Sequence, residues 1–449
     1  MATKQASQGG PNIIGDLSGD NKDLNGSEST TRSSNKSMTL SNGGPLSEYW
    51  RAEPLSGSER SKVASIIKAC TDHDLKKLAA LSSTEGGFVE DEVRRMAWPI
   101  LLGSEDVPEP NTEWKDLPAH KDEAQVALDV NRAFVYYPRN ETDAVLDTRR
   151  AALTDLIISV LRTHPSLSYF QGYHDIAQVL LLVLGLEPAR PALARLSLLK
   201  IRDFLLPTIT GTESQLKLLI PLLYVSDPDL YKQISGLQPF FALAAVLTMF
   251  AHDVQEYGGI SRLFDYLLSH DAVSLIYMTV AMITLRKDEL LDIEEDEPEM
   301  LYAVLSKLPR TLDLEGLIRR TEGLRERFPM EKLPPRVWRS ISTFSVLKTT
   351  LDLEATSRQD LHDGEVWLDL HAKEIQRQKA REETIKKMRK TAYLYRKPAS
   401  AVVLAVFVGA LSVWLGRSGN ASASPIIRLA NNVQQRVVHS IAQALGFRI

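Results

Sequence analysis

The stretch Leu153-Thr154-Asp155-Leu156-Ile157-Ile158-Ser159-Val160-Leu161 decides the fold class. Leu153, Leu156, Ile157, Val160 and Leu161 recur at intervals of three, four and one, which gathers them on one face of a helix. On a strand the same residues would scatter over both faces. Leu216, Leu219, Ile220 and Leu223 repeat the stripe. Phe240–Ala251 and Val273–Leu285 are apolar almost all round, the composition of helices buried at the centre of a large domain. Clear alternating strands joined by Asn-Gly or Asp-Gly turns are missing. The expectation is an all-α, multi-helix domain over residues 60–335, with roughly a dozen helices of ordinary length.

Outward from that domain the texture changes. Residues 1–55 are rich in Gly, Ser, Asn and Thr and nearly empty of large apolar side chains, so they are expected to stay disordered. After Pro334-Pro335 the chain turns polar, and residues 336–397 are expected to form a polar linker and a charged helix. Its end carries Lys386, Lys387, Arg389, Lys390, Arg396 and Lys397 and no acidic residue. Ala399–Gly416 follows, eighteen residues without a charge, the pattern of a short transmembrane helix suited to a thin bilayer. The basic cluster before it predicts that the large N-terminal part faces the cytosol. Residues 417–449 would then be lumenal. Ile426, Ala430, Val433, Val437, Ile441 and Ala444 lie near one helical face there, as in a segment lying on a membrane surface.

Composition narrows the function. The 449 residues carry a net charge of -4, which gives no reason to expect nucleic acid as a partner. Cys70 is the only cysteine, so neither an intrachain disulfide nor a thiolate metal cluster is possible. No apolar run behind basic residues marks a signal peptide at the start. The phosphate loop G-x-x-x-x-G-K-[ST], the metal helix H-E-x-x-H and the nucleophile elbow G-x-S-x-G are absent. The nine histidines are scattered; His174 and His252 read as capping or core-edge residues. The acidic run Asp288–Glu299 reads as a solvated loop.

Two short motifs stand out. Val126-Ala127-Leu128-Asp129-Val130-Asn131-Arg132 is an aliphatic–x–x–D–x–x–R pattern. Three residues apart on a helical turn, Asp129 is placed to accept hydrogen bonds from Arg132 and fix its guanidinium. Tyr169-Phe170-Gln171-Gly172 follows His164-Pro165 at a loop-to-helix junction, where Gly172 would let another backbone approach closely. Taken singly, a surface ion pair and an ordinary turn explain them.

Together and in this order, with Arg132 and Gln171 39 positions apart, the motifs resemble the fingerprints I-x-x-D-x-x-R and Y-x-Q-G of the TBC domain of Rab GTPase-activating proteins. The segment from Arg94 through Trp98 to Leu101-Leu102-Gly103 is similar to that family's opening R-x-x-x-W-x-x-L-L-G, and Tyr137-Pro138 to its aromatic-Pro. The resemblance covers about residues 84–335. Met249-Phe250-Ala251-His252, Arg262-Leu263-Phe264-Asp265-Tyr266 and Leu308-Pro309 look like its branch anchored in the endoplasmic reticulum, which also carries a C-terminal span. The resemblance implies that Arg132 is an arginine finger and Gln171 a glutamine finger acting in trans on a GTP-bound Rab. Asp129 would hold Arg132, Tyr169 and Gly172 would shape the Gln171 loop, and Arg94 and Trp98 would support the domain. No cofactor of its own is implied, since GTP and Mg²⁺ come with the partner. The branch implies a Rab acting between the endoplasmic reticulum and the Golgi. Val126, where the family usually has Ile, differs by one methylene. A non-catalytic Rab-binding module or a membrane scaffold is the alternative, and the presence of both fingers argues against it.

Overall fold

The computed structural model describes residues 54–105, 113–309, 311–334 and 337–417, with three isolated positions beyond; of 395–399, 401 and 415–417 it describes the backbone alone. The tails expected at 1–55 and 417–449 therefore lie almost wholly outside the described residues. Among the described residues all regular structure is helical and there is no strand.

Helix α1 (Gly57–Thr71) opens on a capping box: Ser56 Oγ accepts from the Glu59 N–H at 3.2 Å, and the Glu59 carboxylate accepts from the Ser56 N–H at 2.8 Å. After α2 (Leu75–Ser83), α3 (Asp91–Leu102) starts with Asp91 and Glu92, favourable charges at a helix N-terminus. It stops at Gly103 in the left-handed region, φ +67°, where a Cβ would fall 2.2 Å from the Ser357 carbonyl oxygen. Then come α4 (Glu123–Val130), α5 (Asp143–Thr163), α6 (Tyr173–Leu184) and α7 (Leu186–Arg195); α5, α6 and α7 pack on one another, with α4 against α5 and α6. Short helices lead to α8 (Tyr257–Leu268), which packs on α3, and to α9 (Ser274–Leu285) and α10 (Leu314–Arg327), packed side by side.

The expected stripe on α5 is buried at all five positions, and α9 is buried from Ser274 to Thr284. Each fully buried Leu or Ile contributes about 1.5–3 kcal/mol, so these two helices anchor the interior. Phe240–Ala251 is different. It breaks into a 3-10 turn, Pro239–Ala242, a short helix, Leu243–Leu247, and a turn in which Met249 and Phe250 take φ +50° and +65°. Both side chains are buried, so tertiary packing holds the backbone in a conformation that continuous helix cannot supply.

The stretch expected as a polar linker is also different. Trp338, Ile341, Val346 and Leu347 are buried, and α11 (Leu361–Arg417) lays its first turns on the body of the domain. Its docking face is Leu361, Gly364, Leu368, His371 and Ile375, a stripe hidden among charges. A Cβ on Gly364 would lie 2.8 Å from the Leu198 carbonyl oxygen. From Gln376 to Leu394 the helix is exposed.

Among the described residues no helix is long and apolar enough to cross a membrane. The side chains at 399, 401, 415 and 416, which complete the expected span, lie outside them. The described part of the run, Val402–Trp414, exposes Val403, Val406, Phe407, Val413 and Trp414 by more than 60% each.

Candidate functional site

Arg132 lies just beyond α4, whose Val126, Asp129 and Val130 are buried. The chain leaves the helix in a tight turn: the Arg132 N–H donates to the Asp129 carbonyl at 3.0 Å and the Ala133 N–H to that of Val130 at 2.9 Å. Phe134 then adopts φ +63°, and its N–H donates to Gln178 Oε1 on α6 at 2.8 Å. The backbone around Arg132 is thus fixed on both sides, while its side chain is exposed and has no hydrogen bond or ion pair among the described residues. Gln171 is likewise exposed and unengaged there. Gly172 caps α6 at φ +106°, and a Cβ on it would meet Thr248 Cγ2 at 2.6 Å. The close approach that requires glycine is made by a side chain, not by another backbone.

Arg132 and Gln171 line one open cleft of about 260 Å³, with Asp129, Val135, Tyr136, His174, Asp175 and His252 among its other walls. Asp129 does not hold the Arg132 guanidinium as expected. Its carboxylate accepts from Gln125 Nε2 and from the Tyr169 hydroxyl, both at 2.9 Å, so it ties α4 to the loop that carries Gln171. That loop is also held by the Tyr169 N–H, which donates to Asp122 Oδ2 at 2.9 Å. Burial, reinforced by the Asp129 charge, pushes the Tyr169 phenol well above its ordinary value and keeps it a donor. Across the cleft, Asp175 accepts from His252 Nδ1 at 3.1 Å, and this hydrogen bond raises the His252 pKa. Burial also raises the pKa of the neighbouring Asp253. Among the described residues no group of His, Cys, Asp and Glu is arranged to hold a metal ion.

This geometry is that of two exposed polar side chains on rigid supports, open to a partner. The family model of the Rab-GTPase-TBC domain matches residues 91–291. The chain is 31% identical over 290 residues to the GTPase-activating protein gyp10 of Schizosaccharomyces pombe, a match covering 63% of this chain and 77% of that one. The chain belongs to the TBC-domain family of Rab GTPase-activating proteins. It is also 32% identical over 299 residues to human TBC1 domain family member 20, covering 65% and 74% of the two chains. Among solved structures, the Ypt/Rab-GAP domain of Gyp1p aligns at 17% identity and a TM-score of 0.47, over 58% of this chain and 99% of that one.

Within this TBC domain, Arg94 and Trp98 are not among the cleft walls and do a different job. Both are buried, and both end on Asp265 of α8. Arg94 Nε donates to its Oδ1 at 3.0 Å, Arg94 Nη2 to its Oδ2 at 3.0 Å, and Trp98 Nε1 to its Oδ1 at 2.9 Å. The Phe88 N–H donates to Oδ2 at 2.9 Å, while Asp91 accepts from Arg94 Nη1 and from the Tyr257 hydroxyl. The cluster locks α3 to α8. Sequence reasoning missed Asp175, Gln178 and Thr248, which stand in no motif, and read His252 as a capping or core-edge residue, since the motif it closes did not point to the cleft.

Proposed function

We propose that this chain accelerates GTP hydrolysis on a GTP-bound Rab by supplying Arg132 and Gln171 in trans. The observation that carries the reading is the pair of unengaged, exposed side chains on one cleft, each on a backbone fixed by its neighbours. Hydrolysis on a small GTPase is slow because transition-state charge is not neutralised and the attacking water is poorly held; an arginine in trans is worth about 10³–10⁵ in rate. A guanidinium with no partner among the described residues has no pair there to break before it meets the phosphates. The Gln171 amide offers both a donor and an acceptor and is suited to orienting the water. Asp129, Tyr169 and Gly172 fix the loop, and GTP and Mg²⁺ arrive with the partner.

The test is multiple-turnover GTP hydrolysis by a panel of purified Rab proteins with and without this chain. Stimulation of at least one Rab is expected, lost on Arg132→Ala. Intrinsic rates across the whole panel would refute the reading.

The exposed apolar end of α11 and the basic residues before it support a membrane-held protein. The reading places Ala399–Gly416 in the endoplasmic reticulum bilayer, the main domain in the cytosol and residues 417–449 in the lumen, with a Rab of early secretory traffic as substrate. A glycan acceptor appended after Ile449 should be modified in cells. An unmodified acceptor, with the tail open to protease in intact microsomes, rules out the span.

A further inference from the structure

The loop carrying Gln171 is braced from two directions. On one side it meets the segment around α4: His120 Nε2 lies 3.0 Å from the Leu167 carbonyl, Lys121 Nζ donates to Ser168 Oγ at 3.0 Å, and Asp122 and Asp129 hold Tyr169. The other side belongs to the C-terminal part of the chain. His164, at the start of the loop and buried, donates from Nδ1 to Glu365 Oε1 on α11 at 2.7 Å. The loop's middle leans on residues 201–206: the Ser168 N–H donates to the Leu205 carbonyl at 2.8 Å, and Phe170 packs edge-on against Phe204.

That second support is itself clamped by the C-terminal part. Arg202, fully buried, donates to the Phe344 carbonyl and to Thr349 Oγ1, and its guanidinium lies 4.9 Å from the centre of the Trp367 ring on α11. Asp203, also buried, accepts from the Val346 N–H at 3.1 Å and from the Ser345 hydroxyl, with His371 of α11 at 3.5 Å. The first turns of α11 therefore grip both the start of the loop and the segment beneath it. Phe170, held against Phe204, is the residue next to Gln171.

We propose that Glu365 is a positioning residue for Gln171, acting through His164, so that the helix leaving the domain toward the C-terminus sets the aim of the glutamine side of the cleft. This rests on the assignment of Gln171 as a finger. A carboxylate that holds the first residue of a short loop removes freedom at its far end. A finger that contributes only in the transition state is sensitive to displacements of an ångström or less, which cost up to about a hundredfold in rate. Glu365 is not among the cleft walls, so its loss should leave the concentration of Rab giving half-maximal stimulation unchanged and lower the maximal rate.

The experiment is a double-mutant cycle in the full chain, measuring stimulated hydrolysis on a responsive Rab. Glu365→Ala is expected to lower the maximal rate about three- to tenfold, with unchanged half-saturation. Glu365→Gln, which keeps an acceptor for His164, should recover most of it. In the Gln171→Ala background, Glu365→Ala should have no further effect, because there is no finger left to misplace. Equal fold-losses in the two backgrounds would mean a general structural effect and overturn the proposal, as would full activity of Glu365→Ala. Full activity of Gln171→Ala alone would instead overturn the finger assignment, and this inference with it. Should Glu365→Ala unfold, His164→Gln carries the same cycle.

Discussion

Two arginines picked out by neighbouring motifs end in opposite environments. Arg94 is buried, spends its guanidinium on Asp91 and Asp265, and has its pKa driven upward by those two carboxylates against the cost of burial. Arg132 is exposed and without a partner among the described residues, although an aspartate stands three positions before it. The difference lies in what each carboxylate is already doing. Asp265 is buried and aimed at α3, so it takes the arginine. Asp129 is directed to Gln125 and Tyr169, and among the described residues it makes no hydrogen bond to Arg132. A saturated buried arginine holds helices together; an unsaturated one on a fixed turn is available to a partner.

The sharpest way to break this contrast is Asp265→Ala. It strands a buried guanidinium and removes the acceptor of Trp98 and of the Phe88 N–H. Stability should fall by about 3–5 kcal/mol in urea unfolding, whereas Arg132→Ala should change it by less than about 0.5 kcal/mol. Equal effects of the two changes would erase the distinction.

Activity should invert the order. Arg132→Ala is expected to lower stimulated hydrolysis at least about a hundredfold, near 2.7 kcal/mol, at an unchanged melting temperature. Arg132→Lys should fail nearly as badly, because an ammonium lacks the planar fork. Gln171→Ala should show a comparable loss. A Rab whose own switch glutamine is replaced by alanine should still respond to the unaltered chain. If that Rab is fully resistant, only the arginine acts and Tyr169–Gly172 is a docking loop.

Gly172→Ala comes next. A side chain at φ +106° is strained, and its Cβ would run into Thr248 Cγ2. About 1–3 kcal/mol of stability should be lost and the maximal rate should drop with it. Adding Thr248→Ser removes the clash but not the backbone strain, so partial recovery is expected in thermal unfolding and in rate. Complete recovery would assign the whole cost to packing.

The smallest effect concerns His252. Its pKa is raised in the folded chain by Asp175, with Asp253 adding to the rise. A raised pKa means that the pair's contribution is fully present below the unfolded value of about 6.5 and is lost as pH rises through the folded value. With the ring 62% exposed, solvent screening keeps that contribution below about 0.5 kcal/mol. His252→Gln should flatten this slope in unfolding curves taken between mildly acidic and alkaline pH. An unchanged slope would show that the pair does not form.

The helical class was legible because periodicity is a local property: the α5 stripe and the all-apolar α9 need no knowledge of the rest of the chain. The same holds for the fingerprints around Arg132 and Gln171, each of which spans only a few residues. Local reading failed where a conformation is imposed from outside. Phe240–Ala251 looks like one buried helix, yet the left-handed turn at Met249 and Phe250 breaks it and brings Thr248 under Gly172. The 336–375 stretch looks polar because its buried residues are spaced out among Ser, Thr and charged side chains.

What the amino-acid sequence determined by itself is therefore the helical texture, the two motifs and the chemistry of their side chains. What only the tertiary structure decided is which of those side chains are spent. Arg94 meets Asp265 from 171 positions away, His164 meets Glu365 from 201, and Asp129 turns to Tyr169 rather than to Arg132. A charged group's partner is set by which elements the core brings within hydrogen-bond distance, and that is a property of packing over the whole chain rather than of spacing along it.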